Sequence, residues 1–245
     1  MNACAKGVPV PEVITLDLSR TLAPCDYIIL SKMEGEPLID SWEGFSPQVR
    51  ERVGRSVGRC LAMMHECQFT GFCAFKNLPD GGFKSWYDDM ADFLEGHAEE
   101  AIANQNLEAE TVERMRAILN RHRSLLEMGA QGRLVHSDYQ FENVLVQDDV
   151  TAILDFEWAR SGDPAWDFRL EDQWEEECPG SRALVYEGYT SYRPLDPDHN
   201  LRVRLYKLWQ ELDNVIFFAE DQPDEVRYRR SVDRLLALVE WYVES

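Results

Sequence analysis

The sequence predicts an α+β chain: a small β-containing N-terminal piece, then a mainly helical body with a β-hairpin embedded in it. Three observations lead there. Short apolar runs bounded by turn residues, such as Tyr27-Ile28-Ile29-Leu30, read as strands. Apolar residues at three- and four-residue steps, such as Val49, Val53, Val57, Leu61 and Met64, read as the buried face of a helix. After Gly162-Asp163-Pro164 only helical patterns follow.

In order, Val8-Pro9-Val10-Pro11 is extended, because each proline drives the residue before it out of the α region. Glu12 to Asp17 and Tyr27 to Ser31 are strands, the second expected to be covered on both faces because its apolar run is unbroken. Lys32 to Pro37 is a turn-rich exit. Ser46 and Pro47 are the N-cap and first residue of a helix running to about Cys67. A loop containing Gly71, Pro79, Gly81 and Gly82 follows, then helices over Trp86 to Ala103 and Leu107 to Met128. Arg133 to His136, Asn143 to Gln147 and Thr151 to Asp155 are strands, with Asp148-Asp149 as a tight turn between the last two. The remaining helices are Trp166 to Glu177, Ser181 to Ser191, Asp198 to Ala219 and Asp224 to Val243.

With 245 residues and 28.4 kDa, the chain is one large domain or two small ones. Its 25 basic and 45 acidic residues give a net charge of −20. No excess of cations is present to displace phosphate counterions or meet anionic lipid, which disfavours nucleic-acid and membrane-surface partners. The same charge is compatible with a cationic substrate. The six cysteines include no C-x-x-C pair and read as buried, reduced thiols of a cytoplasmic protein. No 18-residue apolar run is present, and Met1 to Pro11 has no signal-peptide core.

The stretch from Leu134 to Val146 contains H-x-D-x-x-x-x-N, built from His136, Asp138 and Asn143. The next strand delivers Asp155-Phe156-Glu157. This is the pattern of a kinase catalytic loop followed by a metal-binding aspartate. Phosphoryl transfer to a hydroxyl needs a carboxylate to accept its proton, the role expected of Asp138. It also needs oxygen ligands for Mg²⁺, expected from Asn143 and Asp155. His136 is expected to brace the backbone around Asp155. The competing reading is a polar turn between strands, with Asp138 as an N-cap.

The run from Leu134 to Phe168 resembles the aminoglycoside phosphotransferase/choline kinase group of small-molecule kinases. Ile153-Leu154-Asp155-Phe156-Glu157-Trp158-Ala159 and Gly162-Asp163-Pro164-Ala165-Trp166-Asp167-Phe168 carry the likeness most strongly. Val8 to Val13 and Tyr27 to Leu38 are similar to the N-lobe link and to the fifth strand with its hinge, whereas Leu61 to His65 matches a family helix end only loosely. The resemblance implies a protein-kinase-like fold, with residues 1–33 the remnant of an N-lobe ending at the hinge and 34–245 a helical C-lobe. It implies Leu30 as gatekeeper, and the Ser31 carbonyl and Met33 amide on the adenine of ATP or GTP. Ser137 stands where glycine or asparagine is more usual, and Glu157 where protein kinases have the glycine of D-F-G.

Glu157, Asp163 and Asp167 have two readings, a rim for a cationic substrate or, for the two aspartates, caps of turns and the following helix. Asp155 to Cys178 holds nine acids and two arginines, either a cation-binding rim or a solvated helix face. Trp166, Trp174, Trp209 and Trp241 read as core. A family member also needs a glycine-rich loop, a strand lysine and a helix glutamate. None is found in the seven residues before Val8, so a truncated N-lobe is expected, with an exposed strand edge favouring a homodimer. The function expected is transfer of a γ-phosphoryl group to a small-molecule hydroxyl. The alternatives are a silent binding protein on the same fold and a metal-dependent hydrolase using Asp138, Asp155 and His136.

Overall fold

Most of the chain's apolar residues lie at helical spacing, and helices accordingly form the bulk of the structure. The computed structural model describes residues 7–75, 82–127, 129 and 131–244. Strands β1 (Val13–Asp17) and β2 (Tyr27–Leu30) pair antiparallel from Asp17↔Tyr27 to Val13↔Leu30, with a bulge between Val13 and Thr15. β3 (Glu36–Pro37) leads into α1 (Leu38–Ser41) and a 3₁₀ turn. α2 (Pro47–Met64) begins where the Ser46 side chain accepts from the Val49 amide, with Pro47 at its first position. β4 (Gln68–Thr70) and β5 (Cys73–Ala74) follow. Next come α3 (Trp86–Ala103), capped by Ser85, then α4 (Ala109–Arg121) and α5 (Arg123–Leu126). The strands β6 (Gln131–Val135), β7 (Val144–Val146), β8 (Val150–Ile153) and β9 (Arg160–Gly162) precede α6 (Glu171–Glu177), α7 (Ser181–Thr190), α8 (His199–Ile216) and α9 (Glu225–Glu244).

Several expected boundaries move, each for a local reason. The helix expected to reach Met128 breaks at His122, whose φ/ψ of −98°/15° is not helical; Met128 itself lies outside the described residues. The helix expected from Trp166 starts as a 3₁₀ segment over Pro164–Leu170, because the Asp163 carboxylate and carbonyl take the Ala165 and Trp166 amides in tight turns. The helix expected to Ala219 ends at Ile216 and closes with a π turn over Phe217–Asp221. Strands β3, β4, β5 and β9 have two or three residues each, too few to show a period.

The contacts divide the chain into two compact units, each discontinuous in sequence. The first comprises residues 1–67, 136–158 and 171–195; the second comprises 68–135, 159–170 and 196–245. The boundary expected at residue 33 falls inside the first unit. β6 and the β7–β8 hairpin, near neighbours in sequence, join different sheets: β3-β7-β8 in the first unit, β4-β6-β9-β5 in the second.

In the first unit α2 and α7 approach backbone to backbone. A Cβ on Gly58 would stand 1.9 Å from the Val185 carbonyl oxygen, and one on Gly188 would stand 2.0 Å from that of Arg55. Only glycine permits this contact. It seats Val57, whose carbonyl accepts from the buried Tyr139 hydroxyl at 2.9 Å. Strand β2 is not covered on both faces: Ile28, Ile29 and Leu30 are about half exposed, because β1 and β2 form a two-stranded sheet by themselves.

In the second unit Trp86, Trp166, Tyr206 and Trp209 form an aromatic core. Trp86 Nε1 donates to the Tyr206 hydroxyl at 2.8 Å, and Trp209 Nε1 to the Met90 carbonyl at 3.1 Å. Trp174 is equally buried in the first unit, but Trp241 is not core: it is 40% exposed, with the Arg204 guanidinium over its ring at 4.1 Å. Cys60, Cys67, Cys73 and Cys178 are buried, while Cys25 is exposed; Cys4 lies outside the described residues. No helix among the described residues is long and apolar enough to cross a membrane.

Candidate active site

The loop between β6 and β7 is held by aromatic anchors. Tyr139 is fixed at both ends: its hydroxyl donates to Val57, and its carbonyl accepts from Trp174 Nε1 at 2.8 Å. Phe141 stacks on Trp174. With Tyr139 and Phe141 pointing into the core, Asp138, Gln140 and Asn143 stay partly exposed between them.

His136 is fully buried and uses both ring nitrogens. Nε2 lies 2.8 Å from the Leu154 carbonyl oxygen, which can only accept, so Nε2 carries the proton. Nδ1 accepts from the Asp138 amide at 3.3 Å. The ring also packs against Phe156 at 4.6 Å. These contacts leave neither nitrogen for a metal, which removes His136 from the hydrolase ligand set. They make it the brace between the loop and the segment carrying Asp155.

Asp138 Oδ1 accepts from Gln140 Nε2 at 2.5 Å, and Oδ2 accepts from Asn143 Nδ2 at 2.9 Å. The Asn143 amide nitrogen also donates to the Asp138 carbonyl at 3.0 Å, which leaves its side-chain oxygen outside these bonds. The Leu154 amide donates to the Asn143 carbonyl at 2.8 Å. Leu154 is thus bonded to His136 and to Asn143, and Asp155 follows it with an exposed carboxylate. Ser137 and Asp155 have φ of +66° and +59°, the left-handed region that is uncommon outside glycine and that asparagine and aspartate enter more readily than serine. Such backbone is a common mark of functional loops. Glycine or asparagine, the residues the resemblance leads one to expect at position 137, would adopt this backbone more readily than serine.

In the segment expected to form the hinge, the Ser31 amide donates to the Glu12 carbonyl and its hydroxyl accepts from the Glu12 amide, both at 2.8 Å. The Ser31 carbonyl and Met33 amide lie outside these bonds. Leu30 is 45% exposed. A cavity of about 440 Å³ opens beside this segment, lined in part by Met33, Gly35, Ser41, Phe45 and Val146.

The acidic stretch is not one rim. Asp163 and Asp167 belong to the second unit and are both fully buried, which closes them to a substrate from solvent. Asp163 caps the turn at Ala165, receives the Tyr206 hydroxyl at 2.5 Å and pairs with Arg202 at 2.8 Å. Burial drives its carboxyl pKa upward, with Arg202 and Tyr206 pulling the other way. In the first unit Glu171 accepts from Tyr186, Asp172 pairs with Arg182, and Glu175 accepts from the Gly180 amide. Glu157 is exposed. Sequence reasoning missed Gln140 and Gln173, whose contact spans thirty-three positions and follows no spacing rule.

Among the described residues no three His, Cys, Asp or Glu side chains gather as a metal site. A mixed set of one carboxylate and one amide oxygen, from Asp155 and Asn143, suits the hard, partly hydrated Mg²⁺ ion.

A family model described as "Phosphotransferase enzyme family" matches residues 2–170. No curated protein matches the chain. Among solved structures, a protein designated a fructosamine-3-kinase from Thermobifida fusca is 18% identical, with a TM-score of 0.73 over 98% of this chain and 75% of that one. The aminoglycoside phosphotransferase APH(4)-Ia, bound to AMP-PNP and hygromycin B, is 22% identical, with a TM-score of 0.68 over 95% and 77%. APH(2")-IIa, bound to gentamicin, is 16% identical, with a TM-score of 0.65 over 94% and 74%. These likenesses show a protein-kinase-like α+β fold.

Proposed function

The chain belongs to the phosphotransferase enzyme family, and on that premise we propose that it moves the γ-phosphoryl group of ATP or GTP to a hydroxyl of a small molecule. The observation that carries this reading is the joint anchoring of Asp138, Asn143 and Asp155 through Leu154 and His136. Asp138 accepts the proton of the attacking hydroxyl. Asn143 and Gln140 hold its carboxylate, one on each oxygen. Asn143 and Asp155 would hold Mg²⁺, which when bound neutralises phosphate charge. The Ser31 carbonyl and Met33 amide meet the base, with Leu30 beside them. The exposed carboxylate of Glu157 favours a substrate carrying a cation. Neighbours of the same fold were solved with gentamicin and with hygromycin B, which supports a small polyhydroxylated substrate.

Calorimetric titration of Mg–ATP and Mg–GTP tests this reading. One nucleotide is expected to bind in a Mg²⁺-dependent manner, and Asp155→Ala is expected to abolish that dependence. No binding of either would overturn the proposal, and binding without turnover would favour the silent binding protein.

A second copy is the partner we propose for β2. Eight large apolar side chains between Val13 and Leu30 are 45–83% exposed, an apolar surface that a second copy would cover. The hairpin carries only Asp17, Arg20 and Asp26 in a chain of net charge −20, so two copies meet there with little repulsion. The β1 edge is interrupted by its bulge, whereas β2 has none, which makes β2 the pairing edge.

A further inference from the structure

A side-chain amide has a donor end and an acceptor end, and its neighbours decide which end points where. Gln140 donates through Nε2 to Asp138 Oδ1 at 2.5 Å, and its oxygen accepts from Gln173 Nε2 at 3.1 Å. The same Gln173 nitrogen donates to Glu177 Oε1, one turn further along α6, at 2.8 Å. In that bond the Glu177 oxygen is the acceptor. Glu177 therefore turns the nitrogen of Gln173 toward itself. The second hydrogen on that nitrogen meets the Gln140 oxygen, and Gln140 is left to present its donor to Asp138. With Gln140 reversed, two acceptors would face each other at 2.5 Å, and the Asp138 carboxylate would swing away from Asn143.

We propose that Gln173 is a positioning residue: together with Glu177 it sets the polarity of the Gln140 amide and thereby the rotation of the Asp138 carboxylate. The device joins a helix to a loop through three hydrogen bonds, and Gln173 and Glu177 reach Asp138 only through Gln140. Its catalytic consequence rests on the reading of Asp138 as the proton acceptor; the orientation of Gln140 does not.

Two substitutions in the full chain test it. Gln173→Met keeps the length of the side chain and removes both hydrogen bonds. Glu177→Gln keeps the shape and lets the terminus offer either end. The first readout is the side-chain amide resonance of Gln140 in ¹H–¹⁵N spectra, with the exchange rate of its protons. Both variants are expected to speed that exchange about tenfold, the scale of one lost hydrogen bond to a charged group. The second readout is kinetic: kcat is expected to fall about tenfold while KM for nucleotide and acceptor stays put, a split that general loosening of the loop would not produce. Unchanged Gln140 exchange in a folded Gln173→Met protein overturns the relay, whatever the kinetics. A changed resonance with normal turnover in Asp138→Asn leaves the relay standing and overturns the catalytic reading. If the wild type turns over no acceptor, the amide resonance alone decides.

Discussion

His136 and Leu154 are joined by a 2.8 Å hydrogen bond from imidazole Nε2 to the main-chain carbonyl, and that bond ties the loop of Asp138 to the strand end that carries Asp155. Both ring nitrogens are buried and used, so the ring cannot change role without orphaning a backbone group. His136→Phe keeps the packing on Phe156 but leaves the Leu154 carbonyl and the Asp138 amide without partners. It is expected to cost about 3 kcal/mol in urea unfolding, two unsatisfied groups at 1–3 kcal/mol each with some relaxation. Mg–nucleotide affinity should fall with it.

On the proposed reading, Asp138 transfers the proton and Asn143 holds the metal, and the two roles can be separated by substitution. Asp138→Asn should lower kcat by roughly 10³-fold, within the range for a lost general base, and leave nucleotide affinity unchanged. Asn143→Ala removes a proposed metal ligand together with the donor on Asp138 Oδ2, so binding and turnover should both drop. Calorimetry alongside steady-state kinetics tells the two patterns apart. Equal effects on binding from both variants would argue against this division.

The α2–α7 contact leaves no room for a side chain. Gly58→Ala would force its methyl against the Val185 carbonyl, and neither helix backbone can yield without shifting the other. A loss of about 3 kcal/mol is expected in chemical denaturation, at the upper end of overpacking costs. Gly96, where a Cβ meets nothing within 4 Å, is the control: Gly96→Ala should stabilise α3 by up to about 1 kcal/mol.

His97 makes the second unit sensitive to pH. Burial works against its charged form, but the Asp213 carboxylate at 3.4 Å, the Phe93 carbonyl and Glu100 outweigh that and hold its pKa above the usual 6.5. A histidine whose folded pKa is raised contributes stability below the unfolded value and loses it as pH climbs through the folded one. The melting temperature should therefore fall as pH rises from about 6.5 through that higher value. His97→Gln should flatten this part of the curve.

The β2 edge sets the expected oligomeric state. Sedimentation should show a dimer, and Ile29→Lys, which places a charge in the middle of the pairing strand, should yield monomer. A monomeric wild type would argue against the second copy.

The thiols divide by burial. Burial pushes Cys60 and Cys178 up to about 12, so neither ionises near neutral pH. Native alkylation at pH 8 should label Cys25 and spare both of them.

The long helices and the candidate catalytic pattern were legible because both are local. Helix α3 spans the residues expected of it, and Ser46-Pro47 with the apolar period from Val49 to Met64 marks α2, since caps and periodicity depend on neighbours within a turn or two. His136, Asp138, Asn143 and Asp155 were legible for the same reason: their spacing reflects one loop and one hairpin. Tertiary structure alone decided what depends on distant partners. It sent β6 and β7 to different sheets, buried Asp163 against Arg202 and Tyr206, and left Ile28, Ile29 and Leu30 exposed although their composition reads as core. It also brought Gln173 to Gln140, because hydrogen bonds are made through space and carry no period along the chain.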